Sequence, residues 1–142
     1  GTFPIELLVN EKHPLAQKES VTIEDLQGEP MFIESSQFHI YHLIVEKCEK
    51  AGFEPDIIFQ TSGFSLCHKM VKANKGISVA VDFIYDDMRE DGMKLIPFSD
   101  GRYEWKACMI TRRDEEENEG VQCFRKHVQE WLQKIRSGEI TR

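Results

Sequence analysis

The chain opens on an apolar, β-rich run, Phe3-Pro4-Ile5-Glu6-Leu7-Leu8-Val9, with almost no preamble, as expected of a chain cut just before a strand. A polar stretch from Asn10 to Ser20 follows, then Val21-Thr22-Ile23-Glu24-Asp25-Leu26. Its Thr cap and early acids predict one short helical turn, closed by Gly28 and Pro30. Met31-Phe32-Ile33 predicts a short buried strand. Behind it Ile40, Leu43, Ile44, Cys48 and Ala51 recur at helical spacing until Gly52 stops the run. The pattern then repeats. Asp56 to Gln60 predicts a second strand, and Thr61-Ser62-Gly63 opens a second helix with Phe64, Leu66, Cys67, Met70 and Val71 on its apolar side. Ile77 to Val81 predicts a third strand after Gly76.

Strands separated by helices of this length are βαβ units, so the centre of the chain is expected to be α/β with a mostly parallel sheet covered on both faces. Further on, a short helix is expected near Phe83 to Met88, an extended segment over Met93 to Phe98, and a longer strand over Tyr103 to Thr111. A final helix, roughly Gly120 to Arg136, would carry Phe124, Val128, Trp131, Leu132 and Ile135 as its apolar stripe. Trp105 and Trp131 read as core rather than as stacking platforms.

A chain of 142 residues can bury one sizeable core, as one compact unit or two small lobes. The 40% hydrophobic and 30% charged residues suit a globular protein, and no apolar run is long enough to cross a membrane. A net charge of −7 disfavours direct nucleic-acid binding by this segment. The dense acidic run Asp114 to Glu117, with Glu119, reads as a solvated loop. Cys48, Cys67, Cys108 and Cys123 show no CxxC spacing and lie within apolar patterns, which predicts buried free thiols in a reduced, cytoplasmic protein.

Three passages carry a resemblance. His13-Pro14-Leu15-Ala16 followed by Val21 to Pro30 resembles the "HPLA … vtl.dL.gep" passage of LysR-type effector domains. Lys50-Ala51-Gly52-Phe53-Glu54-Pro55 is similar to the family's "aaGf.P" helix exit, and Val71 to Ser78 to its "V.aGlGia" turn. Asn74 stands where the family usually has Gly, so that exit relies on Asn in a left-handed conformation.

The resemblance runs from about Glu6 to Leu132 and implies a periplasmic-binding-protein-like (type 2) lobe over about residues 10–95. It also implies a return segment, about 96–142, giving the C-terminal strand and helix of an incomplete first lobe. It further implies a homodimer through the helix near Phe38 to Ala51 and the strand Ile57 to Gln60. DNA would be contacted only through a helix-turn-helix domain that does not precede Gly1.

Ligands of parallel α/β sheets bind beyond the carboxyl ends of strands, where helix N-termini offer unsatisfied N–H groups. That selects Ser35, Ser36 and Gln37 at one junction and Thr61, Ser62 and Gly63 at the next, with Phe64 or Phe38 as an apolar wall. The expected ligand is a small anionic effector, an organic acid or an amino-acid-like molecule. Ser and Thr before helices are also ordinary caps, and that alternative stays open.

Enzymatic and metal chemistry find little support. His39 and His42, or the adjacent Cys67 and His68, could be imagined around zinc, but neighbours on a helix point about 100° apart. A cysteine hydrolase built on Cys67 would place its nucleophile inside the helix rather than at its tip. No Gly-x-Ser-x-Gly, P-loop or Gly-x-Gly-x-x-Gly pattern occurs. No enzyme, cofactor or metal site is expected; the runner-up readings are a stand-alone small-molecule-binding module and a small α/β cysteine hydrolase.

Overall fold

A computed structural model describes residues 1–88, 90–112, 114 and 118–137, with the side chains of 135 and 136 left out. It divides into two compact units, Gly1–Ala107 and Cys108–Arg142. The first holds strands β1 (Thr2–Asn10), β2 (Met31–Glu34), β3 (Ile57–Thr61), β4 (Ser78–Val81), β5 (Met93–Ile96) and β6 (Glu104–Lys106), and helices α1 (His39–Lys50), α2 (Phe64–Lys72) and α3 (Asp82–Asp87).

β2 pairs β3 in parallel, and a parallel bridge from Met31 to Ile77 carries the sheet on toward β4. β4, β5 and β6 each pair β1 antiparallel. Strands β2 to β6 therefore run in one direction, and β1 alone opposes them from the centre of the order β4-β1-β5. The expectation of a mostly parallel sheet holds for strand direction, while every ladder that β1 makes is antiparallel. The reason is connectivity, since β1 precedes the first crossover unit and is tied to β2 by an irregular segment rather than a helix.

β1 sends successive side chains to opposite faces. Ile5, Leu7 and Val9 join Met31, Ile33, Ile77, Val79 and Val81 in one core, while Leu8 joins Ala80, Val71, Tyr85 and Met93 in the other. A strand buried on both faces must be apolar throughout, which accounts for the unbroken Leu7-Leu8-Val9. α1 buries Ile40, Ile44 and Cys48 against the first core. Burial of each isoleucine stabilises the lobe by roughly 1.5–3 kcal/mol.

α2 buries Cys67, His68 and Val71, so its inward stripe is rotated from the expected one and Leu66 is exposed. His68, set aside as a zinc ligand, is buried. It packs beside Tyr85, ring centroids 6.3 Å apart, because α2 lies across β1 and β2 on the face that α3 also covers. Burial holds its pKa below the ordinary value, and neither ring nitrogen has a partner among the described residues.

Between β1 and β2 the turn Ile23–Leu26 carries the expected Thr22 cap, whose partner Asp25 accepts from the Thr22 N–H at 3.0 Å. A second 3-10 turn, Pro14–Gln17, lies in the stretch that reads as merely polar, and it buries Leu15 and Ala16. Asn74 takes the left-handed conformation expected of it, with φ 52°.

The long strand expected over Tyr103 to Thr111 is shorter. Its register with β1 runs from Glu104 to Lys106 opposite Pro4 to Thr2, flanked by Ile5 N–H donating to the Tyr103 carbonyl at 2.8 Å and Ala107 N–H to the Gly1 carbonyl at 2.9 Å. The second unit contains α4 (Glu119–Ser137), capped by Asn118 Oδ1, which accepts from Gly120 N at 2.9 Å and from Val121 N at 3.3 Å. Its expected stripe is not buried within that unit. Phe124 is 61% and Trp131 47% exposed, Val128 and Leu132 are half-buried, and the Ile135 side chain lies outside the described residues.

Cys108 and Cys123 belong to the same unit and are exposed, whereas Cys48 and Cys67 are buried. Periodicity shows which side of a helix is apolar, not what covers it. Of the acidic run, Asp114 is exposed and pairs with Arg112, and positions 115–117 lie outside the described residues.

Candidate functional site

β2 and β3 end side by side, with Glu34 in register with Thr61. The N–H of Ser35 donates to the Thr61 carbonyl at 2.8 Å, so the two junctions picked out by sequence are adjacent. Ser35 to Phe38 form a turn closed by Phe38 N–H donating to the Ser35 carbonyl at 3.0 Å. Ser36 and Gln37 are exposed at its tip, and Ser35 is half-buried. His42 Nε2–H donates to the Ser36 carbonyl at 2.7 Å and pins the turn to α1. At the second junction Thr61 Oγ1 accepts from Gly63 N–H at 3.1 Å. Ser62 is exposed, with Gly63 and Phe64 half-buried.

The hydroxyls do not cap the helices. The N-cap residues are Phe38 for α1 and Gly63 for α2, and neither helix has a side-chain cap. The alternative of ordinary capping is thus corrected: the serines precede α1 by a full turn, and Thr61 serves the cap residue of α2 rather than its first turn. Both tips keep first-turn N–H groups without a side-chain acceptor, which is what an anion requires of a helix start. The cavities of about 310, 420 and 340 Å³ in this unit are lined by other residues.

Sequence reasoning missed Glu34. It ends β2, is only 4% exposed, and its Oε1 has no hydrogen-bond partner among the described residues. Burial pushes its pKa up to about 7. β2 buries all four of its residues, and alternation puts Glu34 with Phe32, opposite Ile33. A charged side chain closing a strand otherwise reads as solvent-facing. The only legible hint was its place next to the three-residue apolar run Met31-Phe32-Ile33.

Glu34 also acts on Cys67 of α2. Burial, reinforced by the charge of Glu34 and opposed by a hydrogen bond to Ser78, pushes that thiol up to about 11. It is protonated at neutral pH, the wrong state for a nucleophile. Among the described residues no three His, Cys, Asp or Glu side chains gather as a metal site, and no helix is long and apolar enough to cross a membrane.

A sheet of co-directed strands with one opposed strand at its centre, helices on both faces and two helix tips at adjacent strand ends defines an α/β ligand-binding lobe of the type 2 periplasmic-binding-protein-like class. The chain belongs to the LysR substrate binding domain family, whose model matches residues 1–133. That family is one of effector-binding domains of transcription regulators, not of enzymes.

The chain is 29% identical over 126 residues to the uncharacterized HTH-type transcriptional regulator YwbI of Bacillus subtilis, a match covering 89% of this chain and 42% of that protein. It is 34% identical over 77 residues to AlsR of the same organism, covering 53% and 26%. The chain thus spans about two fifths of the length of the YwbI regulator. Among solved structures it resembles a putative LysR family regulator from Pseudomonas aeruginosa, with a TM-score of 0.74, 20% identity, and 94% of this chain and 47% of that one covered. It also resembles the effector-binding domain of QuiR in complex with shikimate, with a TM-score of 0.64, 17% identity, and 78% and 55% covered.

Proposed function

We propose that this chain is the effector-sensing part of a LysR-type transcription regulator and that it takes a small anionic metabolite at Ser35, Ser36, Gln37, Thr61, Ser62, Gly63 and Phe64. The observation that carries this reading is the 2.8 Å Ser35 to Thr61 main-chain bond, which brings two uncapped helix tips to one strand end. Backbone N–H groups and dipoles there favour a carboxylate. The QuiR domain was solved with shikimate and the BenM domain with its effector benzoate, both ring carboxylates, which agrees with that chemistry.

Effector binding would shift the placement of the two lobes and so the paired DNA-binding domains that such regulators carry, acting in the cytoplasm. Residues beyond the lobe, about 96–142 by the resemblance, would return the chain to the other lobe. Self-association would use α1 and β3. Among the described strands β3 pairs only with β2, and it exposes Ile58 at 57% and Phe59 at 41%.

The test is Ser36→Ala with Thr61→Val in the intact regulator. The expected result is weaker inducer affinity and a blunted promoter response, and unchanged values overturn the assignment. For the dimer, Ile58→Lys is expected to yield a monomer by light scattering, and an unaltered mass refutes that interface.

A further inference from the structure

We propose that the groove between α1 and β6 is a second ligand site, independent of the strand-end loops and suited to a small flat molecule carrying a negative charge. The groove encloses about 420 Å³ and is lined by His39, Leu43, Arg102, Glu104, Trp105 and Lys106, all within the first unit. That volume is in the range of small-molecule sites, which combine apolar walls with a few polar anchors.

The apolar walls are Leu43 and Trp105, both half-buried. Trp105 is held on its other side by Phe3 and Phe83, at ring-centroid distances of 6.0 and 5.6 Å. An indole fixed in this way stacks a planar ligand without losing rotamer freedom on binding. Trp105 packs beside Phe3, its register partner in β1. Glu104 and Lys106 flank Trp105 along β6 and line the groove with it.

The lining carries Arg102 and Lys106 against the one carboxylate of Glu104, so its charge is net positive. His39, Leu43 and Lys47 share one flank of α1, and Lys47 Nζ lies 4.5 Å from the Tyr103 ring centroid, beside Arg102 in sequence. Arg102 lines both this groove and a neighbouring cavity of about 310 Å³. Among the described residues neither Arg102 nor Lys47 makes an ion pair. In a chain of net charge −7, an exposed Arg102 without an ion pair, beside an aromatic wall in a groove whose Arg and Lys outnumber its carboxylates, marks a place for an outside anion.

The experiment uses Trp131→Phe, which leaves Trp105 as the only tryptophan. Its emission is titrated with phenylacetate, with neutral phenylacetamide and with acetate. The expected result is saturable quenching by phenylacetate with a Kd of about 1 mM or below, and at least about ten-fold weaker binding of the two control probes. Arg102→Ala, at an exposed site, is expected to weaken phenylacetate about ten-fold, and Leu43→Glu to abolish binding. Ser36→Ala with Thr61→Val is expected to leave it unchanged, which separates this site from the strand-end loops. Absence of saturable quenching, equal binding of phenylacetamide, or indifference to Arg102→Ala overturns the proposal.

Discussion

Ser35 and Thr61 are joined across the ends of β2 and β3 by a main-chain bond of 2.8 Å, while the Thr61 hydroxyl turns back to the Gly63 N–H at 3.1 Å. Thr61→Val keeps the first contact and removes the second. The expected cost is about 1 kcal/mol in urea unfolding, with Thr61→Ser close to wild type. A loss confined to Thr61→Ser would mean that the methyl group, not the hydroxyl, holds this turn.

Glu34 makes stability depend on pH. Burial raises its carboxyl from 4.5 to about 7, so the folded state binds the proton more tightly than the unfolded chain. The stability it contributes is fully present below about pH 4.5 and is lost as pH rises through about 7. Glu34→Gln is expected to be more stable than wild type by about 3 kcal/mol at pH 8 and nearly equal to it at pH 4.5. Thermal melts across this range check the slope, and a destabilised variant at pH 8 would reveal a cationic partner for the carboxylate.

Asp100 ties distant segments together, because its Oδ2 accepts from Ile23 N–H at 3.0 Å and from Tyr103 O–H at 2.9 Å. Tyr103 in turn stacks on Phe98, centroids 3.9 Å apart. Asp100→Ala strands a main-chain donor and a phenol, for an expected loss of about 1–3 kcal/mol, with Asp100→Asn intermediate. Chemical denaturation of the three proteins ranks them, and equal stability of Asp100→Ala and wild type would show that water replaces the carboxylate.

Gly76 sits where β4 begins beside β2. A Cβ there would meet the Pro30 carbonyl oxygen at 2.1 Å, and that oxygen also accepts from Ile77 N–H at 2.8 Å. The chain cannot move apart without breaking the bond that joins the two sheets. Gly76→Ala is expected to lower stability by about 2–4 kcal/mol, read from the denaturation midpoint. A shift of less than about 1 kcal/mol would show that this junction is pliable.

The α/β alternation was legible because Met31-Phe32-Ile33 and the Ile40, Ile44, Cys48 stripe each satisfy one period cleanly. The direction of β1 was not, since an apolar run reads the same whichever way its neighbours point. The adjacency of residues 35–37 and 61–64 followed from the repeat of strand, hydroxyl-bearing junction and helix. Their hydrogen bonds did not, because a turn one residue longer moves a serine from cap to loop. Glu34 and Asp100 depend on partners brought close by folding, Cys67 in one case and Ile23 in the other, which no local spacing announces. The α4 stripe was correctly apolar, yet Phe124 and Trp131 remain exposed within their unit.

The most direct test of the central claim is backbone amide shift mapping on this chain during titration with shikimate, benzoate and a panel of small organic acids and amino acids. The account predicts that the acids that bind perturb Ser35 to His39 and Thr61 to Phe64 together, with a common dissociation constant. Binding that leaves those amides unmoved, or moves one junction without the other, would contradict it.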